Sequence, residues 1–228
     1  MATIITVANQ KGGPGKTTTA INMACGLLDV PYRVQVVDVD PQATLTKWNV
    51  LRGKFGLKQL IVHNIPKGLL EEELTALRRS STVDIVIVDC PGNIQDLTLA
   101  AVELSDAVLC PVRATAFDFE ATKDIVRFTN TVRGQHPDIQ FMLFVNAKHP
   151  SRNIDKTAKD EIRRLFERHE NTTVLETEIP DAAAIAEFGG TGQSIFEYAP
   201  KSAASRLYKK LIREVVLCLA QSPVAASV

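Results

Sequence analysis

A glycine-rich segment near the amino terminus limits the fold of this chain more than any other feature of the sequence. It follows a short run of β-branched residues, Thr3–Ala8, and reads Lys11-Gly12-Gly13-Pro14-Gly15-Lys16-Thr17-Thr18. A strand, a glycine turn and then Gly-Lys-Thr at the start of a helix form the context of a phosphate-binding loop. Glycine lets the backbone approach phosphate groups, and the N–H groups at a helix N-terminus attract their negative charge. The segment from Gly12 to Thr18 is therefore predicted to bind the phosphates of a nucleotide.

Three residues of the segment have distinct expected roles. Lys16 is expected to reach the β- and γ-phosphates as a binding and catalytic residue, and the Thr17 hydroxyl is expected to ligate Mg²⁺. Pro14 has no N–H and so removes one potential donor to the phosphates, although nucleotide is still expected to bind. The competing interpretation is an ordinary glycine turn between a strand and a helix, and the Lys16-Thr17 pair argues against it.

Short apolar runs and longer helical patterns alternate along the rest of the chain. This alternation indicates βαβ units, and runs that are apolar nearly throughout indicate strands covered on both faces. Strands are expected at Thr3–Ala8, Arg33–Asp38, Asp84–Asp89, Ala107–Val112, Phe141–Asn146 and Val174–Ile179. Helices are expected at Lys16–Leu28, Leu69–Arg79, Asp96–Leu104, Phe117–Val132, Ile154–Arg168 and Ala203–Leu219. The predicted fold is one α/β domain over residues 1–221, a mostly parallel sheet flanked by helices on both faces, with a frayed tail at residues 222–228.

Aspartates end two further runs of predicted strand. The second run closes with Asp38 and Asp40 in Val-Val-Asp-Val-Asp-Pro-Gln, and the third closes with Asp89 in Ile-Val-Ile-Val-Asp-Cys-Pro-Gly. Carboxylates at the carboxyl ends of parallel strands face the crevice in which α/β proteins bind ligands. An apolar strand ending in Asp is also the Walker B pattern, so Asp89 is a predicted Mg²⁺ ligand. Gly92 would let residues Asn93 to Asp96 change conformation with the γ-phosphate. An aspartate turn alone is common, and the combination with the glycine segment is what favours the functional interpretation.

These three motifs, in this order, resemble those of the ParA/MinD family of ATPases, which carry a deviant phosphate loop. The first glycine of a standard loop would fall at Gln10, and Lys11 is an additional lysine. The resemblance implies a P-loop NTPase architecture with a deviant Walker A motif, and ATP with Mg²⁺ as cofactors. It also implies a nucleotide-sandwiched homodimer in which Lys11 contacts the phosphates bound by the other subunit. Asp40 would position or activate the attacking water, and Asp38 would support the lysine loop or the metal shell.

Weaker parts of the resemblance lie farther along the chain. Asn146 matches an asparagine that recognises adenine in relatives, and Pro180 and Asp181 follow the last predicted strand, where the family also contacts the base. Pro111-Val112-Arg113 and Phe117-Asp118 resemble a stretch near the dimer face. Gly192–Val215 resembles the closing region of the family, so the similarity spans nearly the whole chain.

The charge of the chain is balanced, with 26 Lys plus Arg and 26 Asp plus Glu. This balance argues against a permanently cationic nucleic-acid binder. Two segments are nevertheless net positive, Lys148–Arg168 and Lys201–Glu214. A solvated surface is the competing interpretation, but ParA relatives bind non-specific DNA through basic residues of this region as ATP dimers, and a dimer would combine two half-patches. The resulting DNA-binding candidates are Arg152, Lys156, Lys201, Arg206, Lys209 and Lys210.

Several features favour a cytoplasmic location. The four cysteines form no CxxC pair and are expected to be free, mostly buried thiols in a reducing compartment. The amino-terminal residues lack the basic and long apolar regions of a signal peptide, and no apolar stretch has the length needed to cross a bilayer.

No helix-turn-helix segment precedes the first strand, so operator-specific repression is not expected. The apolar stripe of the last helix is expected to pack in the core, which argues against membrane targeting.

The resemblance therefore implies a short ParA-type ATPase associated with the nucleoid. ATP would close a dimer that binds DNA without sequence preference, and a cargo adaptor of ParB type would stimulate a weak intrinsic hydrolysis. The cargo would be a plasmid or chromosome partition complex, or a protein assembly such as a carboxysome or a chemoreceptor cluster. The alternative is a MinD-like membrane-associated switch for division or placement. A third class is a metabolic enzyme on the same scaffold, such as a biotin-pathway synthetase, which Lys11 and the Asp-x-Asp-Pro-Gln motif disfavour.

Overall fold

A parallel β-sheet lies at the centre of the computed structural model, which describes residues 1–9, 11–92, 96–113, 130–134, 136–149, 153–166, 169 and 171–221. Its strands are β1 (Thr3–Val7), β2 (Val34–Asp38), β3 (Val62–Asn64), β4 (Ile85–Asp89), β5 (Ala107–Arg113), β6 (Gln140–Asn146) and β7 (Thr172–Val174). Their order in the sheet is β3-β2-β4-β1-β5-β6-β7, and each described pair is parallel. Since β1 is central, the segment that follows it lies between the ends of β4 and β5.

Eight α-helices can be placed in the described residues, with two short 3₁₀ helices at Lys67–Leu69 and Phe188–Thr191. The α-helices are α1 (Lys16–Leu27), α2 (Thr44–Lys54), α3 (Leu70–Arg79), α4 (Asp96–Glu103), α5 (Asn153–Phe166), α6 (Ala183–Glu187), α7 (Ile195–Tyr198) and α8 (Ala203–Ala220). Residues 130–134 are also helical, and the rest of the helix predicted at Phe117–Val132 lies outside the described residues. So does the predicted tail at residues 222–228. No helix within the described residues is both long enough and apolar enough to span a membrane.

The two faces of the sheet bury alternate residues of the same strands. Ile85 and Ile87 of β4 pack in a cluster with residues of α1 and α8, whereas Val86 and Val88 pack on the other face with residues of α3 and α4. All five residues of β4 are buried for this reason. The mostly parallel sheet with helices on both faces, predicted from the continuous apolar runs, is confirmed.

The apolar stripe of α8 packs in the core, as expected from its spacing. Ala204, Tyr208, Leu211 and Val215 are buried in the cluster that α8 shares with α1. The cysteines are free thiols, and three of the four are buried, which also agrees with the expectation.

One strand boundary was predicted wrongly, and several elements were missed. The strand expected at Val174–Ile179 is observed at Thr172–Val174. After β7, Leu175 and Ile179 still donate backbone hydrogen bonds to β6, at 2.8 and 2.9 Å. Between them the Thr177 N–H donates to Oε2 of Glu214 at 3.0 Å and not to β6, which interrupts the strand ladder. Helices α2, α6 and α7 and strand β3 had no counterpart in the prediction.

Candidate functional site

The glycine segment joins β1 to α1 in a conformation that requires glycine. Gly13 and Gly15 have φ values of +85° and +90°, in the left-handed region that other residues rarely adopt. A Cβ atom at Gly15 would also clash with Nδ2 of Asn146. Helix α1 begins at the next residue, Lys16, and both the N–H and the hydroxyl of Thr19 donate to the Gly15 carbonyl, at 2.9 and 2.7 Å. The loop therefore leads directly into a helix N-terminus, as a phosphate-binding loop does.

Two asparagines hold the loop to the neighbouring strands. Asn9 donates through Nδ2 to the Pro111 carbonyl of β5 at 2.6 Å, and its Oδ1 accepts from the Lys11 N–H at 3.0 Å. Asn146, at the end of β6, donates through Nδ2 to the Pro14 carbonyl at 2.6 Å. Sequence reasoning missed Asn9, because nothing in the sequence shows that β5 lies beside β1.

The two lysines of the loop meet in the structure. The side chain of Lys16 is buried, and its Nζ donates to the main-chain carbonyl of Lys11 at 2.7 Å. Burial lowers the pKa of Lys16, and the negative charge of Asp89 opposes this effect. Lys11 itself is partly buried, so both lysines lie where the phosphates of a nucleotide are predicted to bind.

The carboxylate of Asp89 has no hydrogen-bond partner within the described residues. It ends β4 next to the end of β2, with Asp38 and Asp89 opposite each other in the strand register. The side chain is fully buried, and neither oxygen has a hydrogen-bond partner within the described part of the chain. Burial raises the pKa of Asp89 to about 8, and the nearby Thr17 hydroxyl and Lys16 ammonium lower it only in part. A buried carboxylate without a partner beside a threonine hydroxyl fits a hard divalent cation such as Mg²⁺, which prefers oxygen ligands.

Asp38 uses its carboxylate inside its own loop. Its Oδ2 accepts from the N–H and the hydroxyl of Thr46, at 2.9 and 2.7 Å, and its Oδ1 accepts from the Asp40 N–H at 3.2 Å. Thr46 lies in the first turn of α2, so Asp38 ties that helix to the end of β2. The predicted support of the lysine loop or of the metal shell by Asp38 stays a prediction, and its hydrogen bonds lie within the loop between β2 and α2.

Asp40 lies on this supported loop and is only partly buried. Its Oδ1 accepts from the Gln42 N–H at 2.8 Å, and its carbonyl accepts from the Ala43 N–H at 2.8 Å. These bonds form a tight turn between β2 and α2, which fixes where the carboxylate lies. The predicted catalytic role of Asp40 stays a prediction.

The segment after β4 touches the phosphate loop. A Cβ atom at Gly92 would lie 3.1 Å from the Cα of Gly12 and 3.4 Å from its nitrogen. A residue larger than glycine would therefore push against the loop backbone. Of the predicted switch segment Asn93 to Asp96, residues 93–95 lie outside the described residues, as do Phe117 and Asp118.

Residues 5–195 match the CobQ/CobB/MinD/ParA nucleotide binding domain family. The chain belongs to this family. It is similar to the chromosome-partitioning ATPase Soj of Thermus thermophilus, with 30% identity over 238 residues that cover 93% of this chain and 94% of that protein. It is also similar to the chromosome partitioning protein ParA of Caulobacter vibrioides, with 27% identity over 252 residues and 93% of each chain covered. The family predicted from the three motifs is thus confirmed.

Solved structures with the same architecture agree with this assignment. The apo form of McdA from Cyanthece has a TM-score of 0.74 at 16% identity and covers 95% of this chain and 100% of its own. The septum site-determining protein MinD from Pyrococcus horikoshii, complexed with Mg-ADP, has a TM-score of 0.70 at 18% identity and covers 94% and 96%. At these identities the likeness concerns the fold, and it confirms the predicted P-loop NTPase architecture.

Resemblance to the ParA/MinD family predicts that Asn146, Pro180 and Asp181 contact the base of the nucleotide, and these residues lie at one end of the sheet. The chain after β6 pairs with the chain around Pro180: the Lys148 N–H donates to Ile179, and the Asp181 N–H donates to Lys148, both at 2.9 Å. Pro180 is partly buried and Asp181 is exposed. Asn146 is buried and bonded to the phosphate loop, so it connects this region to the loop. Base recognition by these residues stays a prediction.

The basic residues of α8 and the turn before it form an exposed surface, named here the α8 basic face. Lys209 lies over the ring of Phe196, with Nζ 5.7 Å from the ring centroid, and Arg206 donates to the Lys201 carbonyl at 2.7 Å. No acidic side chain of the described residues pairs with any member of this face. Its members are Lys201, Arg206, Lys209, Lys210 and Arg213.

In the other basic segment, the described basic residues of α5 form ion pairs. Lys159 pairs with Glu176 at 3.1 Å, and Arg163 pairs with the same carboxylate. Arg164 pairs with Glu161 at 3.1 Å. Two of the predicted DNA contacts in this segment, Arg152 and the side chain of Lys156, lie outside the described residues. The α8 basic face is therefore the stronger candidate for binding an anionic partner.

Proposed function

We propose that this chain is a ParA-type ATPase that binds ATP with Mg²⁺, hydrolyses it, and couples its nucleotide state to the binding of DNA. The observation that carries this proposal is that a buried lysine, Lys16, and a buried carboxylate without a hydrogen-bond partner in the described residues, Asp89, lie together at a glycine loop leading into a helix. This arrangement offers donors for phosphate oxygens and an oxygen ligand for a divalent cation in one place.

The loop residues bind and orient the nucleotide. The N–H groups from Gly13 to Thr18, except at Pro14, donate toward the phosphates, and the Lys16 ammonium exchanges its bond with Lys11 for a phosphate oxygen. Thr17 and Asp89 would hold Mg²⁺, and the ion would neutralise charge on the phosphates. Asn146, Pro180 and Asp181 surround the base.

Hydrolysis depends on the loop between β2 and α2. Asp40 accepts a hydrogen bond from the attacking water and receives its proton, and Asp38 keeps Asp40 in place by accepting a hydrogen bond from its N–H. In the nucleotide-sandwiched dimer, Lys11 of each subunit contacts the phosphates bound by the other. Hydrolysis by the chain alone is slow, because a switch must persist until a ParB-type adaptor stimulates it.

The α8 basic face supports DNA binding by the dimer. Exposed cations without acidic partners bind the phosphate backbone without reading sequence, and binding of this kind weakens steeply with salt. The α8 basic face of one monomer is small, and a dimer would present two such faces to the DNA. The partitioning role in the names of the Soj and ParA relatives supports chromosome or plasmid partition on the nucleoid as the process.

The ATPase proposal is tested by phosphate release with Mg²⁺ and ATP. We expect slow turnover that Lys16→Ala and omission of Mg²⁺ abolish, while Arg79→Gln, an exposed change on α3, has no effect. Turnover that survives Lys16→Ala would contradict the assignment of the site.

The DNA proposal is tested by gel shift on random-sequence duplex DNA with ATP, with ADP and without nucleotide. We expect binding with ATP only. The double variant Arg206→Gln/Lys210→Gln should weaken it, whereas Lys159→Gln/Arg164→Gln removes the same charge from α5 and should change it little. Equal binding in all three nucleotide states, or none with ATP, would refute the proposed switch.

A further inference from the structure

Arg113 lies beside the phosphate loop at the carboxyl end of β5. A Cβ atom built at Gly13 would lie 3.9 Å from Nη1 of Arg113, so the guanidinium is next to the loop backbone. In the sheet, Arg113 is opposite Asn146, which holds the Pro14 carbonyl. β5 also anchors Asn9 at the start of the loop. Arg113 therefore lies among the groups that shape the loop.

The guanidinium of Arg113 has no acidic partner within the described residues. Two other arginines that the fold holds in place have carboxylate partners, Arg33 with Asp84 and Arg52 with Glu197. Arg113 is partly buried, and no hydrogen bond or ion pair involves its side chain in the described part of the chain. A partly buried cation without an anion, beside a loop of backbone donors, is ready to receive an anionic ligand.

The position of Arg113 along the loop indicates which part of a nucleotide it would meet. Lys16, which reaches the β- and γ-phosphates in loops of this kind, points its Nζ to the Lys11 carbonyl. The Lys11–Gly13 end of the loop is therefore the end of the terminal phosphate, and Gly13 is the loop residue that Arg113 approaches. A guanidinium binds two phosphate oxygens at once through its planar fork, which an ammonium does not.

We propose that Arg113 is a phosphate-binding residue whose guanidinium contacts the terminal phosphate of a nucleoside triphosphate held by the loop of the same chain. This inference rests on the proposed nucleotide site and adds to it a residue that favours the triphosphate over the diphosphate. It gives the chain a third cation at the phosphates, in addition to Lys11 and Lys16.

The test compares Arg113→Gln and Arg113→Lys with the wild-type chain by isothermal titration calorimetry, using a non-hydrolysable ATP analogue and ADP, each with Mg²⁺. We expect Arg113→Gln to weaken binding of the analogue by about tenfold or more, the effect of one lost charge-assisted hydrogen bond, and binding of ADP by less than about threefold. Arg113→Lys should lie between the two, because it keeps the charge and loses the fork. Arg79→Gln is the matched control, and thermal unfolding without nucleotide should be unchanged in all variants.

Two results would overturn the inference while leaving the proposed function intact. In the first, Arg113→Gln binds both nucleotides as the wild type does. In the second, it weakens both equally, which would mean that Arg113 shapes the loop and does not contact the terminal phosphate. A wild-type chain that binds neither nucleotide would overturn the proposed function and, with it, this inference.

Discussion

The two aspartates that lie opposite each other at the ends of β2 and β4 should respond in opposite ways to the same substitution. Asp89 is fully buried and neither of its oxygens has a partner in the described residues, so Asp89→Asn removes a charge that the folded chain does not stabilise. Asp38 accepts three hydrogen bonds, so Asp38→Asn removes an acceptor that the fold uses. We expect Asp89→Asn to stabilise the nucleotide-free protein and Asp38→Asn to destabilise it.

The size of the Asp89 effect follows from its titration. Burial raises the pKa of Asp89 from 3.8 to about 8, so the folded chain keeps a proton that the unfolded chain releases between these pH values. The stability that this proton contributes is complete below about pH 4 and is lost as the pH rises to about 8. At about 1.4 kcal/mol per pH unit, the loss reaches roughly 5 kcal/mol at pH 7.5. The asparagine amide is also buried without partners, which leaves a net stabilisation of about 2–4 kcal/mol.

The measurement is thermal unfolding without nucleotide or Mg²⁺ at pH 5 and pH 7.5. Asp89→Asn should raise Tm by at least about 5 °C at pH 7.5 and by much less at pH 5. Asp38→Asn should cost about 1–3 kcal/mol of unfolding free energy at either pH. Mg-ADP should raise the Tm of the wild type and not that of Asp89→Asn. A Tm of Asp89→Asn at or below that of the wild type at pH 7.5 would refute the reasoning.

Two further substitutions test the packing around the site. Gly15→Ala should abolish nucleotide binding measured by calorimetry, because a Cβ atom at φ +90° is strained and clashes with Asn146; wild-type affinity would show that the loop tolerates the change. Arg52→Met should lower the free energy of unfolding, measured by chemical denaturation, by about 3 kcal/mol, because this buried guanidinium donates to both oxygens of Glu197 at 2.6 Å. Arg33→Met, on the exposed surface, should leave the denaturation midpoint nearly unchanged. Equal losses in the two variants would contradict the argument.

The parts of the site that chemistry restricts to particular residue types could be predicted from the sequence. Phosphate binding requires glycines and a lysine at fixed spacing, and Asp89 ends an apolar run of the length and composition typical of a buried strand. The sequence could not show that Asp38 is engaged by Thr46 while Asp89 lacks a partner. That difference depends on where α2 begins relative to the end of β2, which is a property of the folded chain.

Helix α2 shows why some elements could not be predicted. It buries the polar residues Asn49 and Arg52 beside Leu45 and Trp48 and exposes Val50, which obscures the apolar periodicity from which an amphipathic helix is recognised. It also starts after Ala43, which has φ +49° and provides no side-chain cap. Its buried polar groups are satisfied by distant partners, since Arg52 donates to Gly192 and Glu197. Such partners are invisible to local periodicity.

The difference between the two basic segments could not be predicted from the sequence either. Both basic segments read alike in sequence, yet Lys159 and Arg163 are neutralised by Glu176, which lies in the chain after β7. Only the fold brings that carboxylate to α5. The α8 basic face has no such partner in the described residues, which is why the structure separates two segments that composition does not.

The hydrogen bond from Lys16 to the Lys11 carbonyl makes that carbonyl a competitor of the incoming nucleotide. The buried ammonium already has an acceptor at 2.7 Å before a phosphate arrives. Its contribution to affinity is therefore the difference between two bonds and not the full strength of one. In the proposed binding mode, the exchange would free the Lys11 carbonyl from Lys16. Capture of a phosphate by Lys16 and release of the carbonyl of Lys11, the lysine that is proposed to act across the dimer, would then be a single event.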